Sequence, residues 1–280
     1  MKNKQVLLTG VTGFLGAHTA IQLLNKGYEV IGTLRAKDRI PSIREVIGRH
    51  IDQLDKLHFA VADLNDASVW KDLAKGMDFI QHVASPFPAT LPKNEDELIA
   101  PAKNGTLNIL SAAVDNNVKR VVMTSSLAAV AYGQPTKGPS KIFTENDWTD
   151  IGSKSDLTPY YKSKTIAEKA AWDFIRQDAS PLELVTVCPG AILGPVIERD
   201  YGTSAEITVA LMNGSYPALP KIGFDLVDVR SVADLLILAM ESPVAAGNRY
   251  IAATGYLTQS SGPYPQGKLS GAENSYSRIS

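Results

Sequence analysis

The sequence predicts an α/β fold built on a doubly wound parallel sheet of the Rossmann type. Two observations carry that expectation. Short, continuously apolar, β-branched runs alternate with segments of helical periodicity as far as about residue 190. Strands of that kind, each followed by a helix, form a parallel sheet covered on both faces. The first strand-to-helix turn, Leu8 to Gly16 (LTGVTGFLG), also holds three glycines in nine residues. Glycine weakens helices and strands, so such a density marks a place where the backbone itself is needed.

Taken in order, QVLLTG (5–10) is a buried strand and FLGAHTAIQLLNKG (14–27) a helix, with Leu15, Thr19, Ile21, Leu23 and Leu24 at helical spacing and Gly27 as its stop. EVIGTLR (29–35) and LHFAVADL (57–64) are the second and third strands. A helix over 67–76, a strand over 77–84 and a long helix over about 95–116 follow. KRVVMTSS (119–126) is the fifth strand, 158–177 a strong helix and LELVTVCPG (182–190) the sixth strand. Right-handed crossovers join these units into one sheet. The polar stretch 133–157 reads as a surface excursion or a flap. Beyond Gly190 the pattern loosens into a helix over 204–214, a short strand and helix over 225–242, and a strand over 248–253. From about Thr258 the composition predicts a disordered or loosely packed tail.

Composition narrows the function classes. The 280 residues carry 28 Lys+Arg against 29 Asp+Glu, a net charge of -1, so no electrostatic argument favours nucleic acid or an anionic membrane. The single cysteine, Cys188, excludes an internal disulfide and a cysteine-cluster metal site, and its surroundings read as those of a buried small hydrophobe. The four histidines are scattered, and no metal site is expected. No signal-peptide pattern opens the sequence, and the expected location is the cytoplasm.

The glycines have a reason. In Gly10-x-x-Gly13-x-x-Gly16, the first permits the tight turn out of the strand. The second lets a pyrophosphate approach the backbone, and the third lets the helix pack close to the sheet. The helix N-terminus adds free N–H groups and a positive dipole end, which makes this a dinucleotide site. The second strand ends in Arg35 where an acid would select NAD, and Lys37 and Arg39 follow. A guanidinium there suits a 2′-phosphate, so the expected cofactor is NADP(H). Asp63 and Leu64, closing the third strand, are placed to meet the adenine edge.

Tyr160 and Lys164 open the strong helix four residues apart and share one face. An ammonium beside a phenol favours the phenolate and is expected to draw the Tyr160 pKa down, giving a proton donor for a carbonyl oxygen as hydride arrives. Thr124-Ser125-Ser126 end the fifth strand at the carboxyl edge of the sheet, where a Ser hydroxyl can donate to a developing alkoxide.

With these residues in order, the sequence resembles the extended short-chain dehydrogenases/reductases. It is most similar to the NADPH-dependent carbonyl and aldehyde reductases that group with dihydroflavonol reductase and cinnamoyl-CoA reductase. The resemblance covers roughly 5–255 and rests on TGVTGFLG, Arg35, ADL (62–64), HVASPF (82–87), PAKNGTLNIL (101–110), TSS (124–126), YYKSK (160–164), CPGAILGP (188–195) and VDVRSVADLLILAM (227–240). It implies Ser126 as the carbonyl-binding serine, Tyr160 as proton donor, Lys164 also on the nicotinamide ribose, and Asn104 as support for the proton relay. It places Thr12, Phe14 and Leu15 with the glycines against the cofactor. Val83, Ala84 and Ser85 stand beside the ribose, Pro189 and Ile192 present backbone to the carboxamide, and Ser204 is a further cofactor contact.

The resemblance also implies a division into an NADP-binding Rossmann domain (1–190), a small C-terminal substrate-binding lobe interleaved with its sheet (191–257) and an atypical tail (258–280). The partner is a small-molecule carbonyl substrate and the chain a monomer or homodimer. Two departures qualify the transfer. The flavonoid reductases carry an Asn five residues past the serine, where this chain has Ala131. With Pro86 and Phe87, Ala131 suggests a partly apolar pocket for a simpler aldehyde, ketone or keto ester. Relatives continue in helical segments past a GYL-like point, whereas here Gly255-Tyr256-Leu257 gives way to the Ser/Gly/Pro-rich tail. A flavonoid-type or nucleotide-sugar enzyme of the same fold, or a non-catalytic NADP-binding protein, are the competing readings.

Overall fold

The computed structural model describes residues 4–86, 94–134, 141–153, 156–198, 202, 209, 213 and 223–258. The helix expected over 204–214 and the tail past Thr258 lie outside them, save Val209 and Asn213. The strands are β1 (Gln5–Thr9), β2 (Glu29–Leu34), β3 (Leu57–Val61), β4 (Phe79–His82), β5 (Arg120–Thr124), β6 (Glu183–Pro189), β7 (Ala191–Leu193), β8 (Gly223–Asp228), β9 (Arg249–Ala252) and β10 (Gly255–Thr258). The α-helices are α1 (Phe14–Asn25), α2 (Ile40–Gly48), α3 (Ala67–Leu73), α4 (Asp96–Asp115), α5 (Pro159–Gln177) and α6 (Val229–Glu241).

Seven strands form one sheet in the order β3-β2-β1-β4-β5-β6-β9, and every neighbouring pair is parallel. Consecutive side chains alternate between its faces. Val6 and Leu8 join the core under α1, α2 and α6, while Leu7 joins the core under α3, α4 and α5. The order reverses between β1 and β4, and ligands of such sheets bind in the crevice beyond the strand ends at that reversal.

Helix starts are written in the sequence. Asp66 caps α3 by accepting from Ser68 N, Thr158 caps α5 ahead of Pro159 by accepting from Tyr161 N, and Asp228 caps α6 by accepting from Arg230 N. α1 differs. Its N-cap is Gly13, in extended backbone with no side-chain cap, which leaves its first N–H groups available to a ligand.

Gly190 separates the two sheets. β6 ends at Pro189 in the large sheet and β7 starts at Ala191 in a small one of order β10-β8-β7. A Cβ on Gly190 would lie 2.1 Å from the Asp225 carbonyl oxygen, so only glycine fits this crossing. Three elements depart from the sequence expectation. Residues 40–48 form a helix where none was expected, Ala191–Leu193 is an added strand, and Gly255–Thr258 is a strand antiparallel to β8. Far from the cleft, buried Arg120 bonds Glu183 at 2.6 Å and donates to the carbonyls of Ala239, Met240 and Ser242, tying β5 to the end of α6.

Candidate active site

A cleft of about 680 Å³ runs along the carboxyl ends of the strands, from Arg35 past the glycine turn to Ser126, Tyr160 and Lys164. Gly10 has φ +75, and a Cβ there would touch Ala84 at 3.0 Å. A Cβ on Gly16 would sit 2.0 Å from the Gly10 carbonyl oxygen, whereas one on Gly13 would meet only that oxygen at 3.5 Å. Gly10 and Gly16 therefore serve the turn and the helix-to-strand approach. Gly13 presents bare backbone to the cleft, as a pyrophosphate requires.

Thr12, Phe14, Leu15, Asp63, Leu64, Val83, Ala84, Ser85, Pro189 and Ile192 all line the cleft. Asp63 Oδ1 accepts from Asn65 N at 2.8 Å, which shapes the turn after β3, and Asn108 Nδ2 donates to the Leu64 carbonyl at 2.9 Å, fixing that turn to α4. The segment after β4 is held by Thr9. Its Oγ1 accepts from Ala84 N at 2.9 Å and lies 3.0 Å from His82 Nδ1. Burial, with Lys164 nearby, pushes the His82 pKa down to about 3, so the imidazole is neutral at physiological pH.

Two expected residues stand outside the cleft lining. Asn104 is exposed and outside the cleft lining. Gly105 beside it faces inward, where a Cβ would come within 2.9 Å of Leu64, so Asn104 is turned outward and Pro101 is the α4 residue that reaches the cleft. Arg39 is not in the lining either, because its guanidinium bonds Glu198 at 2.7 Å. Ser204 lies outside the described residues, as does Phe87. Ala131 packs against the cluster of Leu127, Val130 and Cys188 and is not in the cleft lining, whereas Pro86 is.

At the far end, the Ser126 side chain stands close enough to Tyr160 to favour its phenolate form, and both line the cleft. Ser126 is fixed in turn as the cap of a short helical turn, its Oγ accepting from Ala128 N at 3.1 Å. Contrary to the sequence expectation, the Tyr160 pKa is raised. Burial outweighs the lowering by Ser126, and Tyr161 adds to the rise. Lys164, 7% exposed, is pushed down to about 8 by burial, against the pull of Cys188 and Glu168. Tyr161 stacks on Tyr132 at 3.9 Å between ring centres.

Sequence reasoning passed over Thr124. Its Oγ1 is buried without a hydrogen-bond partner among the described residues, and Thr124 lines the cleft. Among the described residues, no cluster of potential metal ligands is present and no helix is long and apolar enough to cross a membrane.

Residues 6–253 match the NAD dependent epimerase/dehydratase family. The chain belongs to that family. Among its relatives is cinnamoyl-CoA reductase CAD2 of Medicago truncatula, 35% identical over 249 residues, 86% of this chain and 74% of that protein. Another is an NADPH-dependent methylglyoxal reductase, GRP2, of Candida albicans, 33% identical over 268 residues, 89% of this chain and 77% of that one. Among solved structures, yeast methylglyoxal/isovaleraldehyde reductase Gre2 complexed with NADPH superposes with a TM-score of 0.80 at 29% identity, covering 91% of this chain and 79% of that one. The seven-stranded sheet and flanking helices are those of this extended short-chain dehydrogenase/reductase architecture.

Proposed function

We propose that the chain is an NADPH-dependent oxidoreductase that reduces an aldehyde or ketone to the alcohol. The observation that carries this reading is that Ser126, Tyr160 and Lys164 line one end of a cleft whose other end is Gly13 and Arg35. Gly13 backbone and the α1 N-terminus hold the diphosphate, and Arg35 holds the 2′-phosphate. Lys164 holds the nicotinamide ribose.

The cofactor supplies a hydride when bound. The residues then manage the carbonyl oxygen. Ser126 donates a hydrogen bond to it, and Tyr160 transfers its proton as negative charge develops there. The raised Tyr160 pKa keeps the phenol protonated until that moment. The Lys164 ammonium then stabilises the phenolate left behind. Pro86 and Ile192 offer little hydrogen bonding, which suits a small aldehyde or α-dicarbonyl. The named substrates of Gre2 and of the Candida albicans relative belong to that class.

The test is loss of reduced-nicotinamide absorbance with NADPH and NADH in parallel, against aldehydes, α-dicarbonyls and aryl ketones. Carbonyl-dependent oxidation that prefers NADPH and vanishes in Tyr160→Phe is expected. Undiminished turnover in Tyr160→Phe would overturn the assignment.

A further inference from the structure

One buried carboxylate lies directly beneath this machinery. Glu168 is on α5, one helical step of four residues past Lys164 and two past Tyr160, and its exposure is 0%. Its oxygens accept from Ser125 Oγ at 2.6 Å, Thr186 Oγ1 at 2.7 Å, Arg249 Nε at 2.7 Å and Nη2 at 3.2 Å, and Trp172 Nε1 at 3.3 Å. The donors outside α5 come from the end of β5, from β6 and from β9. Ser125 precedes Ser126, and its backbone N donates to the Val187 carbonyl at 2.7 Å. Arg249 carries the assembly outward, donating to the carbonyls of Glu145 and Asp147 at 2.7 Å each and lying 3.7 Å from the centre of the Trp148 ring.

We propose that Glu168, clamped by Arg249, is a positioning residue that fixes α5 against the ends of β5 and β6 and so sets Tyr160 on Ser126. This rests on the reading of Ser126, Tyr160 and Lys164 given above. A buried ion pair is a poor way to gain stability, because desolvation offsets most of its attraction. Its location explains it better. An apolar residue at 168 would dock the helix without fixing its height or rotation, whereas a carboxylate answering donors on three strands fixes both. The charge also acts on Lys164. The groups facing that ammonium are Cys188 from β6, His82 from β4, and Glu168 from its own helix. Among them Glu168 is the carboxylate, and Arg249 is its ion-pair partner.

The experiment compares the parent with Glu168→Gln and with the apolar pair Glu168→Met/Arg249→Met, because an unpaired Arg249 alone can unfold a chain. Melting temperature, NADPH affinity by fluorescence, kcat, KM and the pH profile of kcat are measured for each, with Tyr160→Phe alongside. The double variant should melt near the parent and hold NADPH within about twofold, while kcat falls about 10- to 100-fold, the cost of a misplaced proton donor. In Glu168→Gln the alkaline limb of the profile should move to lower pH, because Lys164 loses its anion and keeps Arg249, and it should move less in the double variant. A folded double variant with parental kcat and an unshifted profile in Glu168→Gln would overturn the proposal. So would losses in kcat, NADPH affinity and melting temperature that fall together. If Tyr160→Phe retains turnover, the proposed function fails; if it is dead while both Glu168 variants match the parent, only the positioning role fails.

Discussion

Ser126 and Tyr160 line the cleft together across the gap between the end of β5 and the first turn of α5. The two groups expected to meet a carbonyl oxygen are thus already within reach of one point. Removing Ser126 should do more than delete one donor. Its nearness lowers a Tyr160 pKa that burial raises, so Ser126→Ala leaves a weaker acid. A fall in kcat of about 10²- to 10³-fold with little change in NADPH affinity is expected. Steady-state kinetics and cofactor titration check it, and parental kcat would count against the role.

Gly13 and Gly16 should separate cofactor binding from stability. Gly16→Ala drives a methyl to 2.0 Å from a carbonyl oxygen, which should cost roughly 1–3 kcal/mol or more in urea unfolding. Gly13→Ala meets only an ordinary contact at 3.5 Å, so it should melt like the parent yet lose NADPH affinity. Equal effects of both on melting would contradict the geometry.

Lys164 is retained at a cost. Its folded-state pKa of about 8 lies below the ordinary 10.5, so the folded protein binds that proton less tightly than the unfolded chain. The penalty is fully present below pH 8 and is relieved as pH rises from 8 to 10.5. Lys164→Met should therefore raise stability at pH 7 by on the order of 1–3 kcal/mol while abolishing turnover. Denaturant melts at pH 7 and 10 test this, the gain shrinking at the higher pH.

His82 gives the opposite limb. Its pKa falls from 6.5 to about 3 on folding, so the unfolded chain binds the proton more readily across that window. Stability from this group is complete above pH 6.5 and declines as pH falls toward 3. In His82→Gln the acid side of the stability profile should be flatter than in the parent. Superimposable profiles would show that His82 is not the group that titrates.

Much of this molecule was readable from residue order. The parallel sheet followed from apolar runs such as Val6-Leu7-Leu8, buried on both faces. The cleft followed from Gly10, Gly13 and Gly16, whose three different surroundings match the three different needs. What escaped has physical reasons. The α2 segment is nine residues, about two and a half turns, packed through Ile43 and Ile47, both buried, in a stretch dense with charges. β7 and β10 are three and four residues long, too short for a period to show. Asn104 was misplaced because motif position does not report helix rotation, which Gly105 against Leu64 decides. The Tyr160 pKa went the other way because burial depends on neighbours distant in sequence. Glu168 could have been noticed as an acid continuing the Tyr160–Lys164 face, but its partner Arg249 lies 81 residues away.

The strand order has a consequence for how the protein is made. β9, the outermost neighbour of β6, comes from residues 249–252, after the chain has left the large sheet at Gly190, built β7 and β8, and laid down α6. During synthesis, then, the growing polypeptide carries an uncovered α1 flank until residue 241, and an unpaired β6 edge until residue 252, has left the ribosome. Parallel pairing over such separations is slow and leaves sticky intermediates. Expression yield should therefore respond to chaperone supply and growth temperature more than the stability of the finished fold would suggest.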